Sequence, residues 1–354
     1  MTASPAALGF RMPAEWEPHA ATWLAWPHER SDWPGKFPAI PLVYADIIRH
    51  LVASERVRLE VNGRREELLA RRLLRRADVN LSQVDFFPFP TNRSWTRDHG
   101  PLFLKHAGGE VALAHFRFNG WAKYENHQKD DAVPDRIARA QKRRQWKPRA
   151  RFGGRLREVV LEGGSIDVNG QGTLLTTEEC LLSPVQARNP GLKKEALEKL
   201  LGDVLGVRKV LWLGEGIVGD DTHGHVDDVA RFVDATTVVL ATEQDSADAN
   251  FSRLLDNRQR LSSMTDADGR PLRVVPLPMP RPVVWDGQRL PASYANFYVA
   301  NRVVLVPTFN DAADRVALGT LARLFPTREV VGIHALDLVW GLGTLHCLTQ
   351  QEPQ

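Results

Sequence analysis

A cysteine close to the C-terminal end of the chain has neighbours that suit a nucleophile. Gly341 and Gly343 precede Cys347 and allow another group to approach the backbone closely, and His346 is adjacent to the thiol. Because a thiol attacks mainly as thiolate, such neighbours matter when they lower its pKa. The same stretch fits a buried cysteine that packs as a small apolar residue, at a chain end that frays unless it is tied into the core. Both interpretations stay open for this stretch alone.

Two further stretches hold carboxylates next to turn residues. Asp98 precedes a Gly-Pro turn, so it could bind a cationic substrate or pair with its neighbour Arg97. Glu162 precedes two glycines, which would let the main chain pack against whatever the carboxylate holds. The segment 169–172, Asn-Gly-Gln-Gly, indicates a hairpin turn, and Asp167 is interpreted as a turn or surface residue.

The densest cluster of ionisable residues lies in segment 220–228. If this segment is extended, His223, His225 and Asp227 share one face, because side chains alternate along a strand. Two histidines and an aspartate on one face could bind zinc or another divalent metal, so a metal-dependent hydrolase is a distant alternative. Alternatively, His225 is a general acid/base and Asp227 is a carboxylate that binds substrate, with no metal.

Two other polar residues give weaker signals. Asn296 could orient a substrate, although an Asn at the entrance of a strand is more often a turn-former. Cys180 lies in an apolar setting, and we interpret it as a structural residue.

These residues lie between short strands and helices that alternate along the chain. Helical periodicity predicts helices at 43–53, 66–76, 193–202, 247–265 and 312–324. Runs of β-branched residues bounded by turn residues predict strands at 57–61, 102–105, 111–116, 173–176, 210–212, 237–241, 273–276, 303–307 and 329–333. The alternation predicts an α/β fold.

The candidate residues recur at similar intervals. Asp98, Glu162, His225, Asn296 and Cys347 are separated in turn by 64, 63, 71 and 51 residues. A period of about sixty residues with one polar group per unit indicates a closed ring of similar ββαβ-type units. Each unit would then point one loop toward a common axis.

Composition limits the class of protein. The chain has 354 residues, 43% of them hydrophobic, which is enough for a large core. Its two cysteines argue against a disulfide framework and favour a reducing, cytoplasmic setting. The N-terminal stretch lacks a cationic segment followed by a long apolar run, and no stretch of about 18 apolar residues occurs. We therefore expect neither a signal peptide nor a membrane span.

The net charge of +3 conceals a basic run. Segment 136–157 contains ten Lys or Arg residues and no acid, which leaves −7 on the rest of the chain. Such a run could bind nucleic acid, but no aromatic platform or recognised nucleic-acid module accompanies it. We interpret it as the solvated face of a helix followed by a loop, and we do not expect nucleic acid as a partner.

These stretches together resemble the agmatine deiminase and bacterial peptidylarginine deiminase family, within the guanidino-modifying (pentein) superfamily. The resemblance implies a single domain over 1–354 with the pentein fold, a five-bladed pseudo-symmetric α/β-propeller of ββαβ-type repeats. It also implies hydrolysis of a guanidinium to a urea with release of ammonia, without metal or cofactor. The matching segments cover essentially the whole chain: 12–19, 21–27, 95–101, 118–121, 162–164, 176–182, 188–190, 224–227, 307–310 and 346–351.

The resemblance also implies roles for individual residues. Cys347 would be the nucleophile, His225 the general acid/base and Glu162 a further catalytic carboxylate. Asp98 and Asp227 would grip the guanidinium, because paired carboxylates match its planar, cationic rim. The remaining substrate-binding positions are Trp95, Trp121 and Asn296.

The expected partner is a small guanidine. The sequence says least about the group at the end of this substrate opposite the guanidinium, which we call its far end. The first expectation is agmatine, converted to N-carbamoylputrescine as in putrescine synthesis, through a covalent amidino-cysteine intermediate. Peptidyl or free arginine, giving citrulline, is the alternative. Arg93 stands where agmatine deiminases commonly have acidic residues, and if it faces the site it would repel agmatine's amine. The segment 341–344 also departs from the family's usual Gly-Gly-Gly-Asn. The sequence allows a homodimer.

Overall fold

Five mixed β-sheets organise residues 3–354, the part of the chain that the computed structural model describes. In each sheet an antiparallel pair of strands is followed by a helical connection and a strand that adds in parallel. The predicted α/β class is confirmed. Two of the sheets have four strands each, in the order Gln350–Pro353, His19–Ala25, Arg56–Glu60 and Val84–Phe87 for one, and Phe10–Arg11, Leu102–His106, Val111–Ala114 and Gln145–Trp146 for the other. The other three sheets have three strands each. Their orders are Asp167–Val168, Thr173–Thr177 and Lys209–Leu213; Ala230–Phe232, Thr237–Thr242 and Arg273–Pro278; and Tyr298–Val299, Val303–Thr308 and Glu329–His334. Two separate hairpins pair Arg149–Phe152 with Arg155–Glu158 and Val284–Trp285 with Gln288–Arg289.

Helices connect the strands and bury apolar stripes. In Ile40–Leu51, the buried residues Tyr44, Ile47, Ile48 and Leu51 recur at helical spacing. The α-helices are Ile40–Leu51, Arg64–Arg76, Thr96–His99, Gln128–Asp131, Val133–Gln141, Glu178–Leu182, Lys194–Leu205, Phe251–Ser262, Ala312–Leu324 and Leu345–Leu348. The short 3-10 helices are Ala6–Leu8, Arg30–Asp32, Phe37–Ala39, Leu81–Gln83, Gly163–Ser165, Val226–Asp228 and Val339–Gly341.

The nine predicted strands and five predicted helices are present with small differences in length. The helix predicted at 247–265 is shorter, Phe251–Ser262, because Asp245 and Asp248 form turns before it by accepting backbone N–H groups. The strand His19–Ala25 is not predicted, since it is buried along almost its whole length and shows no alternation of polar and apolar residues. The basic run is not helix followed by loop alone, because its second half forms a hairpin.

In each ββαβ unit, the first strand follows a loop that holds one candidate polar residue. Because these loops are equivalent parts of similar units, the residues recur at similar intervals along the chain. Asp98 lies before Leu102–His106, Glu162 before Asp167–Val168, His225 before Ala230–Phe232, Asn296 before Tyr298–Val299 and Cys347 before Gln350–Pro353.

The C-terminal end of the chain is tied into the core by its strand. Gln350–Pro353 pairs antiparallel with His19–Ala25. Fully buried Glu352 accepts hydrogen bonds from Trp23 Nε1 at 2.9 Å and Arg143 Nη2 at 2.7 Å. Cys347, which comes shortly before this strand, therefore stands on anchored backbone.

Across residues 3–354, each helix falls short of the length and apolar character required to cross a membrane.

Candidate active site

The loops before the first strands meet at one cavity of about 370 Å³. Four of the predicted site residues line it: Cys347, Asp98, Trp95 and Trp121. The other four are buried directly behind this lining: His225, Glu162, Asp227 and Asn296. The structure thus brings all eight predicted residues together.

Cys347 is held in the short helix Leu345–Leu348 by Asn296. The Asn296 side-chain oxygen accepts the N–H of His346 at 3.0 Å and the hydroxyl of Thr344 at 2.8 Å. Its Nδ2 lies 3.1 Å from Cys347 Sγ. Asn296 therefore positions the thiol from behind and does not line the cavity.

The glycines before Cys347 allow close packing, as the sequence indicates. A Cβ on Gly343 would lie 2.8 Å from Trp95 and 3.3 Å from Cys347 Sγ. A Cβ on Gly341 would clash with the indole of Trp33. The thiol can therefore sit against an aromatic wall of the cavity only because these positions lack side chains.

The charges around the thiol oppose its ionisation. Sγ lies 3.7 Å from Asp227 Oδ2. Burial raises the pKa of the Cys347 thiol well above its ordinary value, and the negative charges of Asp227, Asp228 and Asp98 raise it further. The thiol in the empty cavity is therefore protonated at neutral pH.

His225 faces two aspartates with one nitrogen and a glutamate with the other. Its Nδ1 lies 3.8 Å from Asp98 Oδ1 and 3.9 Å from Asp227 Oδ1, and its Nε2 lies 3.8 Å from Glu162 Oε2. Burial alone would lower the pKa of His225, but Asp98, Cys180 and Glu162 raise it well above its ordinary value. Gly164 makes this approach possible, because a Cβ there would lie 2.6 Å from Nδ1.

Glu162 forms a buried ion pair that the sequence does not reveal. Arg188 Nε donates to Glu162 Oε1 at 2.9 Å, with both side chains fully buried. Burial would raise the pKa of Glu162, but Arg188 and His225 hold it at about 2. Glu162 is therefore ionised at neutral pH.

His346 does not act on the thiol directly, contrary to the interpretation that a histidine next to Cys347 activates it. Its Nδ1 lies 2.6 Å from Asp227 Oδ2, and its Nε2 lies 2.8 Å from Glu15 Oε2. Burial would raise the pKa of Asp227, but His346 and His225 keep it below its ordinary value. Arg97 also pairs with Glu15, at 3.2 Å, and not with Asp98. Sequence reasoning missed Glu15 because it is distant along the chain.

The histidine and aspartate set proposed as a metal site is not assembled. His223 has a φ of +64° and Val226–Asp228 is a 3-10 helix, so the segment is not extended. The Nε2 of His223 contacts Ser183 Oγ at 3.1 Å, in a different cavity from that of Cys347. Asp220 causes the turn by accepting the N–H of His225 at 2.9 Å.

Two residues interpreted as structural or superficial lie in the buried network. Asp167 is not a surface residue, since it pairs with Arg231 at 3.0 Å and accepts the Phe232 N–H at 2.6 Å. Cys180 is buried as predicted, but beside charged groups: its sulfur, a Glu162 oxygen and a His225 nitrogen all lie within 4.8 Å of one another.

Aromatic side chains form the wall between Asp98 and the mouth of the cavity. Trp121 Nε1 donates to Asp98 Oδ2 at 2.8 Å. Tyr124 packs edge-on against Trp121 and donates its hydroxyl to Asp221 Oδ2 at 2.7 Å. Arg93 lines the cavity, pairs with Asp32 and lies over the Tyr124 ring at 4.3 Å. Both Trp121 and Tyr124 thus border a slot open to solvent.

The arrangement suits attack by sulfur on a planar cation. The carboxylates of Asp98 and Asp227 can bind its rim, the thiol stands beside them, and the imidazole of His225 can transfer protons. No other cavity among those found in residues 3–354 contains Cys347.

Comparison with known proteins relates this arrangement to one family. Residues 11–353 match the sequence profile of the Porphyromonas-type peptidyl-arginine deiminases. Agmatine deiminase of Pseudomonas aeruginosa (strain LESB58) is 35% identical, over 99% of this chain and 98% of its own. The structure of agmatine deiminase of Enterococcus faecalis has a TM-score of 0.90 and 34% identity, covering 100% of this chain and 98% of that chain.

Two more solved structures extend the comparison. A C. jejuni agmatine deiminase in which a cysteine is replaced by serine, solved with substrate bound, has a TM-score of 0.85 and 27% identity, covering 98% of this chain and 96% of that chain. An amidinotransferase from Microseira wollei is 11% identical with a TM-score of 0.55, covering 98% and 97%, and shows a likeness of fold alone. The chain belongs to the Porphyromonas-type peptidyl-arginine deiminase family.

Proposed function

We propose that this chain is an agmatine deiminase, which hydrolyses agmatine to N-carbamoylputrescine and ammonia. One observation supports this above all: Asp98 and the Cys347 thiol line one cavity, and the Asp227 carboxylate lies directly behind that lining, 3.7 Å from Cys347 Sγ. Relatives of nearly the same length are agmatine deiminases, which agrees with the proposal.

The guanidinium binds between Asp98 and Asp227. Oδ1 of Asp227 is buried and makes no hydrogen bond to any group in residues 3–354, so it is free to accept from a substrate N–H. Two carboxylates fix the plane of a guanidinium, since each can accept paired N–H groups. This binding holds the central carbon against Cys347 Sγ.

In the first half-reaction, sulfur forms a bond to the guanidinium carbon. The arriving cation offsets the carboxylate charges that oppose ionisation of Cys347, so the thiol loses its proton to water more readily when substrate is bound, and His225 keeps the proton that it will donate. The resulting tetrahedral carbon then loses one nitrogen, which His225 protonates as it leaves as ammonia. An amidino-thioether remains on Cys347.

In the second half-reaction, water replaces sulfur. His225 has given up its proton to ammonia and now accepts one from water, whose oxygen attacks the amidino carbon. The carbon–sulfur bond breaks, the ureido product leaves and the thiolate of Cys347 is restored. Glu162 stabilises the imidazolium of His225 in both halves, because it faces Nε2 at 3.8 Å.

The far end of the substrate meets an acidic mouth. Among the residues of 3–354 that line the cavity, three are aspartates, Asp32, Asp98 and Asp221, and one is a cation, Arg93. Arg93 pairs with Asp32, which largely offsets its charge, and Asp221 pairs with Lys123, which does not line the cavity. The amine of agmatine would therefore take the place of Lys123 at Asp221. Burial raises the pKa of Asp32 to about 7 although Arg93 opposes it, so this balance becomes more negative above that pH.

Arginine deimination is a second candidate function, and Arg93 is the observation that favours it. A guanidinium at the mouth of the cavity could bind the α-carboxylate of free or peptidyl arginine, if it left Asp32. Of the described residues that line the cavity, Arg93 is the one cation, and it is already paired with Asp32, which makes agmatine the first choice.

We also propose that the five sheets form the blades of one propeller-like domain over 1–354. The repeated ββαβ order and the equivalent position of one polar residue per unit support this arrangement. The two unpaired cysteines suit a reducing, cytoplasmic setting. The homodimer stays a prediction, which sedimentation velocity would measure.

The test is an assay of ureido product and ammonia on agmatine, free arginine and an arginine-containing peptide. We expect agmatine to have the highest kcat/KM, and Cys347→Ser to lower kcat roughly 10³-fold or more. Strong turnover of arginine with background rates on agmatine would overturn the choice of substrate. Activity that survives in Cys347→Ser would overturn the mechanism.

A further inference from the structure

A second thiol lies behind the general acid/base, on the side away from the aspartates. The sulfur of Cys180, an oxygen of Glu162 and a nitrogen of His225 all lie within 4.8 Å of one another, and all three residues are buried. The Nε2 of His225 faces Glu162, whereas Nδ1 faces Asp98 and Asp227. The ring therefore separates Asp98 and Asp227 from Glu162. We refer to Glu162, Cys180 and His225 as the cluster.

Hydrogen bonds outside the cluster hold its members in place. The hydroxyl of Thr177 accepts the N–H of Cys180 at 3.1 Å and donates to the carbonyl of Gly224 at 2.5 Å. Thr177 thereby ties the helix of Cys180 to the residue that precedes His225. Arg188 holds Glu162 through Oε1 and leaves Oε2 directed at the imidazole.

The cluster contains buried polar atoms without partners. Glu162 Oε2 and His225 Nε2 make no hydrogen bond to any group in residues 3–354, although their side chains are at most 1% exposed. Buried polar atoms are nearly always satisfied, so unpartnered atoms that face each other point to a ligand. The ligand must accept electron pairs from a carboxylate, an imidazole and a sulfur.

We propose that Glu162, Cys180 and His225 form a binding site for Zn²⁺ that inhibits the enzyme. Oxygen, nitrogen and thiolate ligands are the set that zinc prefers, whereas Mg²⁺ and Ca²⁺ prefer oxygen alone. Nitrogen and oxygen ligands bound at about 2.0–2.2 Å in a tetrahedron lie roughly 3.3–3.6 Å apart, so the 3.8 Å between Nε2 and Oε2 needs to close by only a few tenths of an ångström.

The charges around Glu162, Cys180 and His225 favour a divalent cation. The carboxylates of Asp98 and Asp227 stand within 4 Å of the Nδ1 of His225. Within residues 3–354, Arg188 is the one guanidinium paired with the cluster, through Glu162. Binding of Zn²⁺ forms three metal–ligand bonds and releases the Cys180 thiol proton, and any proton on Nε2, to water. Water takes the fourth position.

Inhibition follows from what the metal occupies. Zinc on Nε2 and Oε2 fixes His225 and keeps its ring from becoming an imidazolium, while Cys347 stays free. The proton on Nδ1, which faces Asp98 and Asp227, could then pass to ammonia only by leaving a zinc-bound imidazolate. This consequence rests on the proposed function, but metal binding does not, so the two are tested separately.

Cobalt is the probe for binding, because a Co²⁺–thiolate bond gives a charge-transfer absorption band. In Cys347→Ser, Cys180 is the only cysteine, so a band there reports this thiol. We expect Cys347→Ser to show the band with cobalt and to lose it when zinc is added. The double variant, with both Cys347→Ser and Cys180→Ser, should show no band. His223→Asn is the matched control and should keep the band. Absence of the band, or its persistence in the double variant, would overturn the proposal.

Two further measurements cover the remaining outcomes. If Cys180→Ser does not fold, as judged by circular dichroism, Glu162→Gln in Cys347→Ser should weaken cobalt binding at least about tenfold. In the active enzyme, zinc should inhibit turnover of agmatine, and Cys180→Ser should raise the inhibitory concentration at least about tenfold. Equal inhibition of both forms would place zinc on Cys347 and overturn the site. If Cys347→Ser shows the cobalt band but the unaltered protein turns over none of the three guanidines, the proposed function alone is overturned.

Discussion

At the scale of single residues, the proposed mechanism makes the nucleophile depend on its substrate. Cys347 is surrounded by Asp227, Asp228 and Asp98, which raise the pKa of the thiol in the empty cavity. A guanidinium between the aspartates removes most of that opposition. Reactivity is thereby restricted to molecules that carry the correct cation.

The pH profiles test this dependence. The rising limb of kcat/KM reports the free thiol, so we expect it above the ordinary pKa of about 8.5 for a cysteine. The rising limb of kcat reports the thiol beside bound substrate and should lie at lower pH, because the cation favours the thiolate. Coincident limbs for the two parameters would contradict substrate-assisted ionisation.

Asp221 is the residue with which we expect the far end of agmatine to interact. Asp221→Asn should raise the KM for agmatine about tenfold, because one ionic hydrogen bond of about 1.5 kcal/mol is lost. Butylguanidine, which lacks the amine, is the control and should keep its KM. Steady-state kinetics on both substrates measures the two KM values. An equal change in KM for agmatine and butylguanidine would show that Asp221 acts through Tyr124 and the fold instead.

At the scale of elements, short helical turns before the first strands hold the functional side chains. The turn Gly163–Ser165 places Gly164 against His225, Asp98 and Asp227, whose atoms a Cβ would meet at 2.6, 2.9 and 3.0 Å. The main chain itself also binds, since the N–H of Gly164 donates to Asp98 Oδ1 at 3.1 Å. Close packing of backbone and charge sets the geometry of the site.

We therefore expect Gly164→Ala to lower kcat/KM on agmatine about 100-fold, because a displacement of about 1 Å misaligns the reacting groups. Gly319→Ala is the matched control. Gly319 lies in the helix Ala312–Leu324, its Cβ would meet only Arg323 at 3.7 Å, and the change should stabilise the protein by up to about 1 kcal/mol. Kinetics and thermal unfolding of both variants test this, and normal activity in Gly164→Ala would refute the packing argument.

At the scale of the whole molecule, the last strand of the chain shares a sheet with His19–Ala25, near the other end of the chain. Glu352 in the last strand contacts Trp23 in His19–Ala25 and Arg143 in the loop between the helix Val133–Gln141 and the strand Gln145–Trp146. It also pairs with Arg58. Through this carboxylate the C-terminal segment is bonded to parts of the chain that are distant in sequence.

Breaking this contact should weaken the whole protein. Glu352→Ala leaves the partly buried Arg58 and Arg143 without their carboxylate, so we expect a loss of about 3–5 kcal/mol in the free energy of unfolding. Denaturant unfolding measures the loss. Glu110→Ala, at an exposed pair with Arg144 at 3.9 Å, is the control and should cost less than about 1 kcal/mol. Equal losses would mean that Glu352 does not tie the ends together.

The charge distribution leads to a prediction about partners. Arginines in the hairpin 149–158 are exposed, whereas Lys147 and Arg143 of the same basic run pair with Asp135 and Glu352. We expect replacement of the hairpin arginines by serine to leave kcat/KM on agmatine within about twofold, because the hairpin does not line the cavity. DNA retention of the unaltered protein that resists physiological salt would contradict this interpretation.

The sequence by itself determined the fold class and the predicted elements from local patterns, and it determined the eight candidate residues through the resemblance to a known family. Periodicity, turn residues and recurring polar motifs are local signals, and each ββαβ unit repeats them. Those signals could not predict the burial of Asp167, the charged neighbours of Cys180 or the position of His223 in a different cavity. An aspartate near a turn can be buried by an arginine 64 residues later, and one left-handed residue can rotate a histidine into another cavity.

The tertiary structure alone decided which charges meet. Glu15 beside His346, Arg188 beside Glu162 and Arg93 beside Asp32 are contacts between segments far apart in the chain. Such pairs follow from how the sheets pack, because burial makes an unpaired charge too costly to leave without a partner. The identity of a nucleophile can be predicted from its motif, whereas its pKa and the charge at the mouth of its cavity depend on neighbours that only the folded chain supplies.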